Sequence, residues 1–526
     1  MTGDDATVRA ALHAGPKKSS KRWVSAGVVC TGLFLLGMDL TVLNVAIPAL
    51  QRALGSSAGQ TQWIVDAYAL VLGGLVLTVG GVTDRIGRRR AFLAGVALCG
   101  LASWAGAVSV APWQLIAARG AMGAGASLIM PATLSMITGL FPEPALRQRA
   151  ISLWAAVGGV GGALGPVVGG WLVSHYSWRA VFWINLPLAA AVIALTLLWV
   201  PPSPPARTEP VDVPGTVLSA VALLSLVWAI IEGPSRGWTS GQVLAAFACA
   251  AVSLTAFGVW LRRARTPMLP RHVMRREALL PVAALAMMSF AMFGALFLIS
   301  LYLQGVLGYT AWQAGVRTLP LPAALIAGAV LAAGLTGRLN RRSVLAYGLL
   351  VIVCSFVLLS FTTPQSTYPH LALVQIVAGL GAGLTAAAGT AAVMDTVGES
   401  NAAVGSAVND ASRQVGATLG VAVQGSVLAT VYQDRMGEAF ARAGLAGTPS
   451  TTDSLLALTG RQSGAAAGGG LHAVAADAFV AGLTRSASLA AVVAALAAVA
   501  VWRLLPRPPI VLPSPPSHMP PVGSRS

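Results

Sequence analysis

Asp39 stands in FLLGMDLTVLNVAIPAL (34 to 50), inside an apolar run long enough to cross a bilayer. A carboxylate at the centre of such a run costs roughly 2.5 to 3.5 kcal/mol even on lenient insertion scales, so it needs a partner or a task. Two more charges fall at a similar level. Asp39 lies about 15 residues into its span, or roughly 22 Å at about 1.5 Å per residue, which puts it in the outer half. Arg119, in LIAARGAMGAGASLIMPA, lies about six residues below the outer surface in an inward-running span. Asp66, in WIVDAYAL, is near the outer end of another. Two acids and one arginine at one depth can bind and release a proton, because a desolvated carboxylate beside a movable cation can change its proton occupancy. The plainer readings are a fixed Asp39–Arg119 pair that only holds helices together and, for Asp66, an acid kept near the membrane surface.

The elements that position these residues are membrane helices. The chain has 526 residues, 56% hydrophobic and 10% charged, with a mean hydropathy of +0.74, a composition of integral membrane proteins. Spans of about 20 apolar residues begin near 24, 61, 91, 113, 149, 179, 213, 242, 278, 312, 343, 370, 405 and 480, fourteen in all. An even number puts both termini on one side. Arginine and lysine crowd into RRARTPMLPRHVMRR (262 to 276), DRIGRRR (84 to 90), GRLNRR (337 to 342) and the start of the chain, so these segments are expected in the cytoplasm with both termini. The net charge of +17 is then mostly topology; the partner is the lipid bilayer, and no nucleic acid is expected. Residues 1–22 are polar and the first apolar run has no small-residue cleavage site, so no removed signal peptide is expected.

Enzyme chemistry finds little support. The six histidines are scattered, the four cysteines fall inside spans without metal-ligand spacing, and no GxxxxGK[ST] phosphate loop occurs. No metal and no cofactor are expected. GVTDRIGRR (81 to 89) aligns with GLTGRLNRR (334 to 342), an internal repeat that divides the chain into two six-span halves with a two-span insertion. The expected organisation is a tail at 1–22, a six-helix bundle at 23–200, a linker with two extra spans at 201–277, a second bundle at 278–504 with an outer loop at 432–478, and a proline-rich tail at 505–526.

Four motifs resemble those of the major facilitator superfamily, in particular its fourteen-span drug:proton antiporters. LGMDLTVLNVAIPAL (36 to 50) is similar to the first-span signature, GGVTDRIGRRR (80 to 90) to the loop between spans 2 and 3, GGALGPVVGG (161 to 170) to the antiporter motif, and SWRAVFWINLPLA (177 to 189) to the entry of span 6. GSAVNDASRQVGATLGVAV (405 to 423) also resembles the family's span 13. The resemblance implies an all-α membrane fold of two six-helix bundles plus two inserted helices. It assigns proton coupling to Asp39 and Arg119, a gate to Gly80, Asp84, Arg85, Gly87, Arg88 and Arg89, and sealing of the interface between the halves to Gly161, Gly165, Pro166, Gly169 and Gly170. It implies that Asp84 lies against the start of span 13, whose N-terminal dipole favours an anion; a topology signal alone is the other reading of that loop. The glycines of span 5 also form a side-chain-free stripe suited to close helix packing.

A substrate cavity is expected around Asp66, Met122, Met288, Met292 and Phe293. Met122 stands where the family commonly has a glutamine partner for the arginine, and span 9, AMMSFAMFGALFLISLY (286 to 302), is rich in flexible, polarizable side chains that suit varied apolar ligands. Lipid-facing filler is the plainer account of span 9. The function expected is antiport: a hydrophobic cationic or neutral drug or antibiotic leaves across the cytoplasmic membrane as protons enter through a monomer. An uptake symporter of the same fold is the first alternative, a polytopic membrane enzyme the second.

Overall fold

The computed structural model describes residues 16–141, 143–202, 212–265, 267, 275–335, 339–397, 402–442 and 468–505. These residues form fourteen membrane-length helical segments: α1 (Pro16–Leu54), α2 (Ala58–Ile86), α3 (Arg88–Ala107), α4 (Pro112–Leu140), α5 (Pro144–His175), α6 (Ala180–Trp199), α7 (Val213–Arg236), α8 (Gly241–Arg263), α9 (Arg276–Leu301, continued by a π-helical turn Tyr302–Val306), α10 (Ala311–Leu335), α11 (Arg341–Ser360), α12 (Tyr368–Val397), α13 (Ala402–Arg442) and α14 (Gly468–Leu504). By length and composition, thirteen of the segments can cross a membrane. The remaining one, α2, is 29 residues long and includes positions 77, 80, 81 and 84, whose side chains lie outside the described set.

Local chemistry explains where the helices turn. Gly55 (φ 60°) and Gly87 (φ 92°) occupy the left-handed region, where a side chain would be strained, and each joins two helices over a very short connection. Ser57 and Gln60 form a capping box at the start of α2, and Thr310 and Gln313 form one at the start of α10. The two ends of the bundle are named here for those glycines.

The packing pairs repeat. Within α1–α6 the closest pairs are α1–α5, α2–α4, α3–α4 and α3–α6; within α9–α14 they are α9–α13, α10–α12, α11–α12 and α11–α14. Each half has its own apolar core, one around Leu35, Met38 and Phe92, the other around Leu298, Tyr302 and Phe479. The halves meet along α2–α13 and α5–α10. The inserted hairpin packs α7 on α8 and lays α7 against both α2 and α13, with Leu70, Val227, Ile231 and Ala422 in one cluster.

Two expected boundaries change. The helix α1 begins at Pro16, inside the expected tail, and α13 and α14 extend to Arg442 and from Gly468, so the whole expected 432–478 loop is either helical or outside the described residues. Transmembrane helices run past the hydrocarbon when their flanks can keep making backbone hydrogen bonds, and hydropathy does not register such extensions. Residues 1–15 and 506–526 also lie outside the described set.

Candidate functional site

Asp39 is buried, 1% exposed, and its hydrogen-bond chain runs through α6 and α3. Its Oδ1 accepts a hydrogen bond of 2.7 Å from Asn185 Nδ2; the same Nδ2 donates at 3.1 Å to Ser103 Oγ, and Ser103 Oγ donates at 2.8 Å to the carbonyl of Phe182. This chain of bonds ties α1 to α6 and α3. Asn185 sits one residue after Ile184, which keeps right-handed helical dihedrals and hydrogen-bonds to the Ala180 carbonyl, so α6 carries the amide into the core on a continuous helical backbone.

No Asp39–Arg119 ion pair forms here among the described residues, so the fixed pair that was the plainer reading is not present in this structure: no such contact within 4.0 Å accompanies the described salt bridges. Arg119 Nε instead donates to the Ile64 carbonyl at 3.2 Å, and its guanidinium lies 4.5 Å from the centre of the Tyr68 ring. Both groups belong to α2, so α2 holds the cation while α6 holds the acid. The two charges still act on each other through space. Asn185 was not singled out from the sequence; the available signal was an amide in the otherwise apolar FWINLPLA of span 6.

A small cavity of about 20 Å³ lies between the halves, lined by Leu40, Asn44, Val65, Asp66, Ala69 and Arg119 on one side and Phe293, Ala417 and Val421 on the other. Asp66, Phe293 and Arg119 thus line one space. Asp39 faces away from it, into its own half. The ionisable groups lining the space are therefore one acid and one base, rather than two acids and one base. They are not equally committed: Arg119 has a carbonyl and a ring, while Asp66 Oδ2 is buried without a hydrogen-bond partner.

The methionines divide. Met122 and Met288 are fully buried in the cores of the first and second halves and do not line the cavity. Met292 is partly buried against the second core. The unbranched side chain fills an irregular core as readily as a ligand pocket, and position along the helix did not distinguish the two.

The span-5 motif also divides. Alanine Cβ atoms at Gly161, Gly165 and Gly169 would meet the backbone of α1 at Phe34, Met38 and Val42, and Thr41 Oγ1 donates to the Gly162 carbonyl at 2.8 Å. The stripe therefore brings α5 against α1 within one half. Contact between the halves falls to Pro166 and Gly170, which approach Gly315 and Ala311 of α10. Close by, Trp312 N donates to Ser174 Oγ, Ser300 Oγ to the Asn44 carbonyl and Gln304 Nε2 to the Val45 carbonyl. All of these contacts lie toward the Gly55 end, and α5 meets chiefly the first piece of α10.

In the loop motif, Arg88 donates to the Ser135 carbonyl near the end of α4, and Arg89 to the Thr196 and Leu197 carbonyls at the end of α6. Cations suit helix C-termini, where carbonyls lack internal partners. Gly87 makes the turn, and Arg85 is exposed. The side chain of Asp84 lies outside the described residues, as do those of Ala402, Ala403 and Val404 at the start of α13 that Asp84 was expected to face.

The comparisons agree with this architecture. The family model described as Major Facilitator Superfamily matches residues 29–421. The Methylenomycin A resistance protein of Streptomyces coelicolor is 34% identical over 420 residues, covering 80% of this chain and 88% of that protein. Multidrug resistance protein Stp of Mycobacterium tuberculosis is 36% identical over 401 residues, covering 76% and 74%. Multidrug efflux pump LfrA of Mycolicibacterium smegmatis is 32% identical over 466 residues, covering 87% and 88%. Among solved structures, a bacterial homolog of the human lysosomal transporter Spinster, inward-facing and unoccupied, superposes with a TM-score of 0.64 at 17% identity, covering 93% of this chain and 97% of that one. By its motifs, repeated packing and relatives, the chain belongs to the Major Facilitator Superfamily: it is a multi-pass membrane transporter related to drug and antibiotic efflux pumps.

Proposed function

We propose that this transporter is a proton-coupled antiporter that exports hydrophobic cationic or neutral compounds, drugs or antibiotics, across the cytoplasmic membrane as a monomer with both termini in the cytoplasm. The observation that carries the reading is Asp39, a fully buried acid with one hydrogen-bond donor and no ion pair within 4.0 Å, beside a cavity shared by two repeated halves. An isolated buried carboxylate is costly, whereas a protonated one is not. In the proposed cycle Asp39 holds a proton while Arg119 stays on α2, and Asp39 releases it when Arg119 takes the carboxylate. Only two groups need to move for occupancy to change.

Asp66 presents an unpartnered oxygen to the cavity, which supports cations and neutral compounds over anions as substrates. With the positive-inside orientation, the closed Gly55 end faces outward, and the cavity takes its substrate from the cytoplasmic side. The resistance and efflux proteins among the relatives support export. Gly80, Asp84 and Arg85 are kept as gate residues of this reading, with Arg88 and Arg89 anchoring the loop to α4 and α6.

Everted membrane vesicles test the direction and the coupling. With an acidic lumen, a lipophilic cation added outside should dissipate the pH gradient in the wild type and not in Asp39→Asn, which keeps a polar group that Asn185 can still meet. Wild-type dissipation by Asp39→Asn would end the coupling assignment, and substrate and protons moving the same way would make the protein a symporter.

A further inference from the structure

The amide of Asn185 has one possible orientation. The Ser103 hydroxyl hydrogen is committed to the Phe182 carbonyl, so Ser103 Oγ faces Asn185 as an acceptor and the amide atom it meets is Nδ2; Asp39 Oδ1 accepts from that same Nδ2. Both hydrogens of Nδ2 are thereby used. Two oxygens are left over, Asn185 Oδ1 and Asp39 Oδ2, both buried and both without a partner. Buried acceptors nearly always have donors. Two orphaned acceptors on two groups already bonded to each other are short of one hydrogen, and a protonated carboxyl would carry it.

We propose that Asn185 is the positioning residue that holds Asp39 in its protonated form, accepting the carboxyl hydrogen at Oδ1 while Nδ2 donates to the other carboxyl oxygen, and that it competes with Arg119 for Asp39. The inference rests on the proton role of Asp39 proposed above. An amide and a carboxylic acid make two complementary hydrogen bonds; an amide and a carboxylate make one. Arg119 prefers the opposite form. Release is then a single step: the O–H bond of Asp39 breaks, the proton passes to water, and the guanidinium exchanges the Ile64 carbonyl and the Tyr68 ring for the carboxylate.

The surroundings leave few other groups to set the proton occupancy. Of the elements around Asp39, α2 contributes Tyr68, α3 contributes Cys99 and α4 contributes Arg119, all in electrostatic reach of one another. The α5 face is the glycine stripe, α6 offers Asn185 without a charge, and α9 meets α1 through Ser300 and Gln304. Arg119 is the one cation among them.

A different role for Asn185 predicts the opposite sign. If it merely donates to a permanently ionised Asp39, its removal strands the carboxylate and favours protonation; if it holds the protonated form, its removal leaves Arg119 as the remaining partner and favours ionisation. Infrared difference spectra of the purified full-length protein, titrated with pH, read this directly through the carboxylic C=O band that Asp39→Asn abolishes. Asn185→Leu should move the midpoint of that band to lower pH by about one unit, a tenfold loss of proton affinity, and the band itself to higher wavenumber. Ser103→Ala, which releases only the second hydrogen of Nδ2 and is the milder change to the fold, should move the midpoint the same way by about threefold in affinity. A midpoint that stays put or rises in both variants, with the Asp39 band still present, overturns the role of Asn185 and leaves the coupling proposal standing. No titrating band lost in Asp39→Asn overturns the proton role of Asp39, and the role of Asn185 with it.

Discussion

Gly169→Ala tests whether the span-5 glycines act by bringing α5 against α1. A Cβ at this position would lie 2.6 Å from the Val42 carbonyl oxygen and 2.8 Å from Val42 Cγ2, whereas tight real contacts begin at 3.0–3.4 Å. The α1–α5 contact must therefore open by about 0.4 to 0.8 Å, and because the nearest obstacle is backbone, no rotamer change can relieve it. Overpacking of this kind costs about 1 to 3 kcal/mol, against which alanine recovers at most about 1 kcal/mol of helix propensity over glycine. Gly159 is the control, ten residues earlier on the same helix, since a Cβ there has nothing within 4 Å. Alanine at Gly159 should leave stability unchanged or raise it, and alanine at Gly169 should lower it by about 1 to 2 kcal/mol net. Loss of the monodisperse fraction on heating in detergent, followed by size-exclusion chromatography, ranks the variants, and dye efflux in intact cells should fall in the same order. Equal melting of the two variants would refute the close-approach argument, because propensity alone treats the two positions alike.

Gly170→Ala acts between the halves instead, since its Cβ would lie 2.5 Å from the Ala311 carbonyl oxygen; a wedge of about 1.4 kcal/mol should raise labelling of a cysteine placed at Ser300, buried where it meets Asn44 across the halves, by about tenfold, and unchanged labelling would remove the contact from the transport cycle. Asp66→Asn should impair export of lipophilic cations more than export of neutral compounds, because a neutral ligand loses no charge partner; equal losses would end the selectivity argument. In a background without the four native cysteines, of which Cys249 and Cys354 are exposed, Ser235→Cys at the end of α7 should react with an impermeant maleimide from outside the cell. Reaction only after permeabilisation would reverse the proposed orientation.

The number and starting points of the membrane helices were legible in the amino-acid sequence because each depends on a local run of apolar residues and on the charges beside it. Asp66 and Arg119, placed at one level by the constant rise per residue of a helix, line one cavity. What each side chain faces was not legible. A soluble helix declares its buried face by its polar one, but lipid and protein interior are both apolar, so Met122, Met288 and Met292 carried no mark separating core from cavity. The glycines at 161, 165 and 169 and the Pro166–Gly170 pair are adjacent in one motif, yet the first set meets α1 and the second meets α10, a division set by the rotation of about 100° between successive residues of α5. Asp39 needed a neighbour 146 positions away, on a different helix. Sequence alone determined that a buried acid sat in this membrane and required compensation; tertiary packing decided that its partner is Asn185 rather than Arg119, because the choice depends on which faces of α1, α4 and α6 converge, and no single helix encodes that.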